Sequence, residues 1–96
     1  MLIRLVRLPA SEASLPRLRA VLAEVMPTVR QQRGCTHLEL LADHDQPTVL
    51  YTLSHWNSDN DLQRYRQSEI FAQVWPRLKA ELGDRPSAVS LVSPSA

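Results

Sequence analysis

Residues 50–71 read LYTLSHWNSDNDLQRYRQSEIF, and the hydrophobic pattern of this stretch changes in the middle. The first part alternates between apolar and polar residues, as a half-buried β-strand does. This part ends at Trp56, and a run of polar residues follows. Ser58 then provides an N-cap with Asp61 three residues later, which predicts a short helix that ends near Arg66. The stretch therefore predicts a strand that turns directly into a helix, with a tryptophan at the junction.

Two longer helices are predicted from apolar residues that recur every three or four positions. The first lies between Ser14, a predicted N-cap, and Gly34, a predicted stop. Pro27 lies inside this helix and predicts a kink or an early end there. The second longer helix begins at residues 68–69 and ends at Gly83.

Strand formers and turn residues predict four strands, which cover residues 1–8, 35–42, 48–56 and 88–92. The second and third strands form a hairpin around the polar loop at residues 43–47. The order strand, helix, strand, strand, helix pair, strand predicts an α+β ferredoxin-like sandwich, with helices on one face of a four-stranded antiparallel sheet. We expect residues 1–96 to form a single domain, with residues 93–96 as a flexible tail.

Composition and charge exclude several classes of protein. The formal net charge is +1, from 11 Lys+Arg and 10 Asp+Glu, and the basic residues form no block, so we expect no nucleic-acid partner. No apolar run is long enough for a membrane span or a signal peptide, so we expect no membrane partner. A single cysteine, Cys35, excludes an internal disulfide and is typical of a reducing compartment. These features predict a cytoplasmic location.

Both faces of the predicted hairpin are apolar. A loop at residues 43–47 pairs Leu40 with Leu50, Thr36 with Ser54 and Ala42 with Thr48. One face then carries Leu38, Leu40, Leu50 and Trp56, and the other carries Leu41, Val49, Tyr51 and Leu53. Helices can cover only one face, and a monomer rarely exposes an apolar sheet to water. The pattern predicts a homodimer through the sheet faces, with scattered exposed apolar residues as the alternative.

The same register places four chemically capable side chains on one face of the sheet: Cys35, His37, Glu39 and His55, with Cys35 opposite His55. Their residue types include zinc ligands, but their spacing matches no metal motif. We expect a polar cluster at the dimer interface and no metal site.

Several segments resemble the antibiotic biosynthesis monooxygenase domain. They are Arg33-Gly34-Cys35, the hairpin with Pro47, and the run from Trp56-Asn57-Ser58 through Leu62, Tyr65, Ser68 and Phe71. The resemblance covers about residues 1–92. It implies a dimeric α+β barrel of two ferredoxin-like subunits. It also implies oxygenation of a polycyclic aromatic or quinol substrate without metal or organic cofactor.

The chain departs from that family at three positions. Relatives commonly carry a glutamate two residues before the tryptophan, where this chain has Ser54, and often a histidine nine residues after it, where this chain has Tyr65. A related branch degrades haem with a histidine at the position aligned with Trp75. Because that ligand is missing, we do not expect haem degradation.

The resemblance implies a cofactor-independent monooxygenase that acts on a small aromatic or quinol-type molecule. The alternative is a non-catalytic ligand-binding or regulatory dimer of the same fold. The predicted substrate-binding residues are Trp56, Tyr51, Tyr65 and Trp75, because aromatic walls bind flat ligands.

The predicted catalytic residues are His37 or His55 as the base and Arg4 as the group that stabilises a substrate anion. The histidines and Trp56 also have structural alternatives: a histidine on a sheet is often structural, and Trp56 can simply fill the gap between sheet and helices.

Overall fold

The computed structural model describes residues 1–95. Its elements are β1 (Leu2–Pro9), α1 (Leu15–Arg30), β2 (Cys35–Ala42), β3 (Val49–Trp56), α2 (Asp59–Arg66), α3 (Glu69–Lys79) and β4 (Ser87–Leu91). The four strands form one antiparallel sheet in the order β2-β3-β1-β4. The helices pack against one face of this sheet, so the predicted ferredoxin-like α+β sandwich is confirmed. Of the predicted tail, residues 93–95 are exposed and residue 96 lies outside the described residues.

Serine caps start the two helices that follow β3. Ser58 Oγ accepts a hydrogen bond from the backbone N–H of Asp61 at 3.2 Å, and Ser68 Oγ accepts one from the N–H of Phe71 at 3.2 Å. Each cap satisfies one of the N–H groups that a helix start leaves without an intrahelical partner. The polar run after Trp56 therefore turns the chain away from the sheet within a few residues.

The start and the end of α1 differ from the prediction. Ser14 occupies the N-cap position, but its hydroxyl accepts a hydrogen bond from the N–H of Ser11 at 3.0 Å and caps no helical N–H. The helix continues through Pro27 and ends at Arg30, ahead of Gly34. Gly34 has φ of 86°, a left-handed conformation that favours glycine, and it leads the chain into β2.

The predicted hairpin register is wrong by two residues. Leu40 pairs with Thr52 and not with Leu50, and Ala42 pairs with Leu50. The N–H of Asp43 donates to the carbonyl of Val49 at 2.9 Å, so the ladder extends one residue beyond the predicted edge of the loop. Because the difference is an even number of residues, the side chains from His37 to Ala42 keep their predicted faces.

The remaining predicted pairs of the hairpin are corrected in the same way. Ser54 pairs with Leu38 and not with Thr36, and Thr48 lies in the loop before β3.

A β-bulge changes the predicted position of Cys35. The pairing jumps from His37–His55 to Cys35–Trp56, which leaves Thr36 as the extra residue on β2. Cys35 therefore lies opposite Trp56 and packs against the core on the helix side, and the prediction that it faces His55 is wrong. The bulge removes the thiol from the predicted cluster of Cys35, His37, Glu39 and His55.

The core lies between the sheet and the helices. Its most deeply buried side chains are Leu8, Leu18, Leu22, Leu50 and Trp56. Burial of a large apolar side chain contributes about 1.5–3 kcal/mol, so these residues supply much of the stability of so small a domain.

The other sheet face, which we call the outer face, carries apolar side chains from all four strands. Its edge strands expose Leu41, Val89 and Leu91 by 39%, 45% and 44%. Its centre holds the paired residues Leu5 and Leu53, which are half-buried. Among the helices of residues 1–95, none has the length and hydrophobicity needed to cross a lipid bilayer.

Candidate functional site

A cavity of about 320 Å³ lies between the sheet and the helices and is partly open to solvent. Its floor comes from the helix-facing residues of β1 and β3, and side chains of all three helices form its walls. The start of β4 closes one side with Ser87 and Ala88. This volume is at the lower end of the range for small-molecule sites, so the cavity suits a small ligand.

A row of four aromatic side chains lines this cavity. The rings of Trp56 and Tyr65 are stacked with centroids 5.4 Å apart and an interplanar angle of 19°. Phe71 meets Tyr65 edge to face at 5.2 Å, and it lies nearly parallel to Trp75 at 6.1 Å. These distances are typical of favourable aromatic pairs. We call these four residues the aromatic row.

Trp56 is both a core residue and a wall of the cavity. It is 1% exposed, and its indole Nε1–H donates to Ser54 Oγ at 2.9 Å. A buried indole N–H needs a partner, and the serine two residues earlier on the same face provides it. The tryptophan that closes β3 is thus held in one orientation by its own strand.

Two arginines bring positive charge to the cavity. Arg4 projects from β1 on the floor, and its Nη1 donates to Ser90 Oγ on β4 at 3.0 Å. Burial lowers the pKa of Arg4, and the nearby charge of Arg66 lowers it further, while Asp59 acts in the opposite direction. Arg66 lines the cavity from the end of α2 and is more exposed. An anion inside the cavity would be stabilised by both guanidinium groups.

The Tyr65 hydroxyl is the neutral hydrogen-bond donor of the aromatic row. Burial, and secondarily the charge of Cys35, raise the pKa of Tyr65 to about 12. The phenol therefore keeps its proton at neutral pH and can donate to an acceptor on a ligand. The thiol of Cys35 is also partly buried, and burial raises its pKa, so it is a weak nucleophile.

The structure brings together some of the predicted site residues and separates others. Arg4, Trp56, Tyr65 and Trp75 all line the cavity. Tyr51 lies on the outer face, where its hydroxyl donates to Asp43 Oδ2 at 3.2 Å, so it does not share a wall with the other three aromatic residues.

The two predicted bases also lie on the outer face. His37 and His55 are paired across β2 and β3, with ring centroids 5.0 Å apart. Nε2 of His37 is 3.3 Å from Oε1 of Glu39. The sheet therefore separates both imidazoles from the cavity, and the prediction that they share a site with Trp56 does not match this geometry.

Among the aromatic and charged residues that line the cavity, sequence reasoning missed two, Phe71 and Arg66. Phe71 lies four residues before Trp75, so both occupy one face of α3, and this spacing was available in the sequence. Arg66 gave no such signal, because it is one of many arginines and only the end of α2 directs it to the cavity.

Comparison with known proteins identifies the relatives of this chain. The sequence profile described as antibiotic biosynthesis monooxygenase matches residues 1–75. The comparison with curated proteins gives no match.

Solved structures share the fold over nearly the whole chain. One from Deinococcus radiodurans, named as a candidate antibiotic biosynthesis monooxygenase, has 22% identity and a TM-score of 0.88 and covers 100% of this chain and 95% of its own. One of the same name from Caulobacter crescentus has 15% identity and a TM-score of 0.86, with 94% and 86% covered.

A third structure of that name, from Bordetella bronchiseptica, has 15% identity and a TM-score of 0.86, with 96% and 95% of the two chains covered. At these identities the structures show the shared fold. The profile match over residues 1–75 shows that the chain belongs to the antibiotic biosynthesis monooxygenase family.

Proposed function

We propose that the chain is a monooxygenase that binds a small, flat phenolic or quinol-type molecule in the cavity. One observation carries this proposal: the aromatic row lines a cavity of about 320 Å³ that also contains Arg4. Stacked aromatic walls favour flat apolar ligands, and a few polar groups orient them. The family match supports oxygen chemistry as the reaction class.

The proposed reaction converts a ring CH₂ group beside a phenol into a carbonyl. One atom of O₂ enters the product and the other leaves as water with the two hydrogens of the CH₂ group, so the substrate supplies all four electrons that reduce O₂. Removal of a substrate proton gives an anion that transfers an electron to O₂. Arg4 stabilises this anion, and the aromatic row limits the access of water to the intermediate.

In this proposal, the proton removed from the substrate is released to the solvent. Among the described residues that line the cavity, none is a histidine, an aspartate or a glutamate. The positive charges of Arg4 and Arg66 lower the pKa of a bound phenol, so a strong protein base is not required. The Tyr65 hydroxyl then donates a hydrogen bond to the oxygen of the substrate anion.

A second function is favoured by the same lack of an acid–base residue. A cavity with hydrogen-bond donors and no general base can bind an aromatic ligand without converting it. The alternative is therefore a ligand-binding or regulatory protein that uses this cavity.

We also propose that two copies of the chain associate through the outer face. The apolar side chains at its centre and at both of its edges support this arrangement, because a monomer rarely exposes a contiguous apolar patch of this kind. His37 and His55 would then be interface residues.

The test is oxygen uptake by the purified protein with an anthrone, which carries the ring CH₂ group that the proposed reaction oxidises. We expect one O₂ consumed per substrate converted, with one labelled oxygen atom in the anthrone product when labelled O₂ is supplied. Arg4→Gln and Trp75→Leu should reduce the rate by tenfold or more, whereas Arg19→Gln, on the exposed side of α1, should not. Ligand binding without turnover would contradict the oxygenase and support the binding protein.

A further inference from the structure

Arg4 and Arg66 form no ion pair within residues 1–95, and among the described residues they are the two arginines that line the cavity. The described arginines that do form ion pairs are Arg17 with Glu81, Arg64 with Asp61, and Arg77 with Glu24. Arg4 instead donates to the neutral hydroxyl of Ser90 at 3.0 Å. Arg66 reaches only the amide oxygen of Gln63, at 3.5 Å.

These two unpaired cations line the same cavity. Their like charges disfavour each other, and the burial of Arg4 weakens its hydration. A neutral ligand in the cavity would remove further water from the guanidinium group of Arg4 and would supply no negative charge in its place. An anionic ligand would supply that charge, and hydrogen bonds between ions are stronger than those between neutral groups.

We infer that the ligand of this cavity is a flat aromatic acid, whose ring lies against the aromatic row and whose carboxylate is bound by Arg4 and Arg66. This inference rests on the proposed function only in taking the cavity as the ligand site. Arginine suits this task because its planar fork of N–H donors matches the two oxygens of a carboxylate. The substrate of the proposed oxygenase is then a phenol or quinol that carries its carboxylate next to the phenol oxygen, so that the two guanidinium groups contact both.

The nearby carboxylate of Asp59 favours a singly charged ligand over a phosphate. Asp59 lies close enough to Arg4 to affect its pKa, although the two form no ion pair. Two arginines and one aspartate leave a local charge of about +1. A carboxylate neutralises this charge, whereas a doubly charged phosphate ester would be repelled by Asp59.

The chain contains only two tryptophans, and both line the cavity, so tryptophan fluorescence reports on this site. We would titrate the full chain with 2-naphthoate and with 2-naphthamide, a neutral analogue of nearly the same shape. We expect 2-naphthoate to bind at least tenfold more tightly, and this preference should decrease as ionic strength rises.

Three variants identify the groups responsible. Arg4→Gln and Arg66→Gln should each reduce the affinity for 2-naphthoate by fivefold or more and leave the affinity for 2-naphthamide nearly unchanged. Arg66→Lys should bind 2-naphthoate more tightly than Arg66→Gln but less tightly than the wild type, because lysine keeps the positive charge but lacks the planar fork of N–H donors. Arg19→Gln, which removes the same charge from an exposed position outside the cavity, should bind both probes as the wild type does.

Equal affinity for the two probes would overturn this inference and leave the proposed oxygenase standing, because the cavity would still bind aromatic molecules. A loss in Arg19→Gln equal to that in Arg66→Gln would also overturn it, since the effect would then come from net charge. Failure of both probes to quench the fluorescence would contradict both the inference and the proposed function.

Discussion

The indole Nε1–H of Trp56 donates a hydrogen bond to the hydroxyl of Ser54, two residues earlier on the same strand, at 2.9 Å. Both residues are buried, and both line the cavity. The pair therefore connects the stability of the core to the shape of the site.

Ser54→Ala should destabilise the protein, because it leaves the buried indole N–H of Trp56 without its partner. We expect a decrease of about 1–3 kcal/mol in the free energy of unfolding, measured by urea denaturation. Ser93→Ala, at an exposed position after β4, is the control and should change nothing. Unchanged stability in Ser54→Ala would show that the indole finds another partner.

Gly34→Ala should destabilise the protein for two separate reasons. The residue has φ of 86°, which disfavours a side chain, and an added Cβ would overlap the side chain of Asp61. We expect a loss of about 2 kcal/mol or more in the free energy of unfolding.

A double-mutant cycle with Asp61→Gly separates these two causes, because it removes both the Cβ and the carboxylate of Asp61 and so relieves the overlap but not the backbone strain. Gly83→Ala is a useful comparison, since Gly83 does not have a positive φ. If Gly34→Ala costs no more than Gly83→Ala, the left-handed conformation is not the cause.

The raised pKa of Tyr65 predicts a loss of stability at alkaline pH. Burial raises the pKa to about 12 from an ordinary value of 10.0, so the unfolded chain releases the phenol proton first as pH rises. The contribution of Tyr65 to stability is therefore complete below about pH 10 and is lost as pH approaches 12.

We would measure the midpoint of urea denaturation at several pH values between about 9 and 12, the range set by these pKa values. Tyr65→Phe should show a shallower decrease than the wild type. Tyr51→Phe, which removes the tyrosine of the outer face, provides a matched comparison. Identical pH profiles for Tyr65→Phe and the wild type would contradict the role of burial.

A charged residue on the outer face should prevent the proposed dimer. Leu5→Arg lies at the centre of this face, and Leu91→Arg lies on its exposed edge strand. We expect the wild type to sediment as a dimer at micromolar concentration and both variants to sediment as monomers with native circular dichroism. Ala20→Arg, on the exposed surface of α1, should remain dimeric. A monomeric wild type would contradict the proposed interface.

The helices and strands were predicted well from the sequence, because they depend on signals between residues that are close along the chain. Ser58 and Ser68 each begin a helix through a hydrogen bond to an N–H three residues later, and such signals are visible without any tertiary structure. Apart from Cys35, the faces predicted for the residues of the β2–β3 hairpin were also correct, since alternation depends on parity and survives a shift of two residues.

The parts that sequence reasoning missed depend on single long-range contacts. The hydrogen bond from Asp43 to Val49 sets the hairpin register, and the bulge at Thr36 sends Cys35 to the helix side. The alternation of side chains along β2 and β3 places His37 and His55 on the same face of the sheet. Alternation alone does not show that the helices cover the opposite face. Arg66 reaches the cavity only because of where α2 ends.

The edge strand β4 forms part of the cavity wall. This strand has five residues, all of them exposed, and it is joined to the sheet through β1 alone. Its backbone amides should exchange with deuterium before those of β1 and β3, because an edge strand with few buried contacts separates at the lowest free-energy cost. Ser87 and Ala88 belong both to β4 and to the cavity wall. Separation of β4 from β1 would therefore open a path into the cavity for ligands. A molecule bound inside would in turn slow the deuteration of β4.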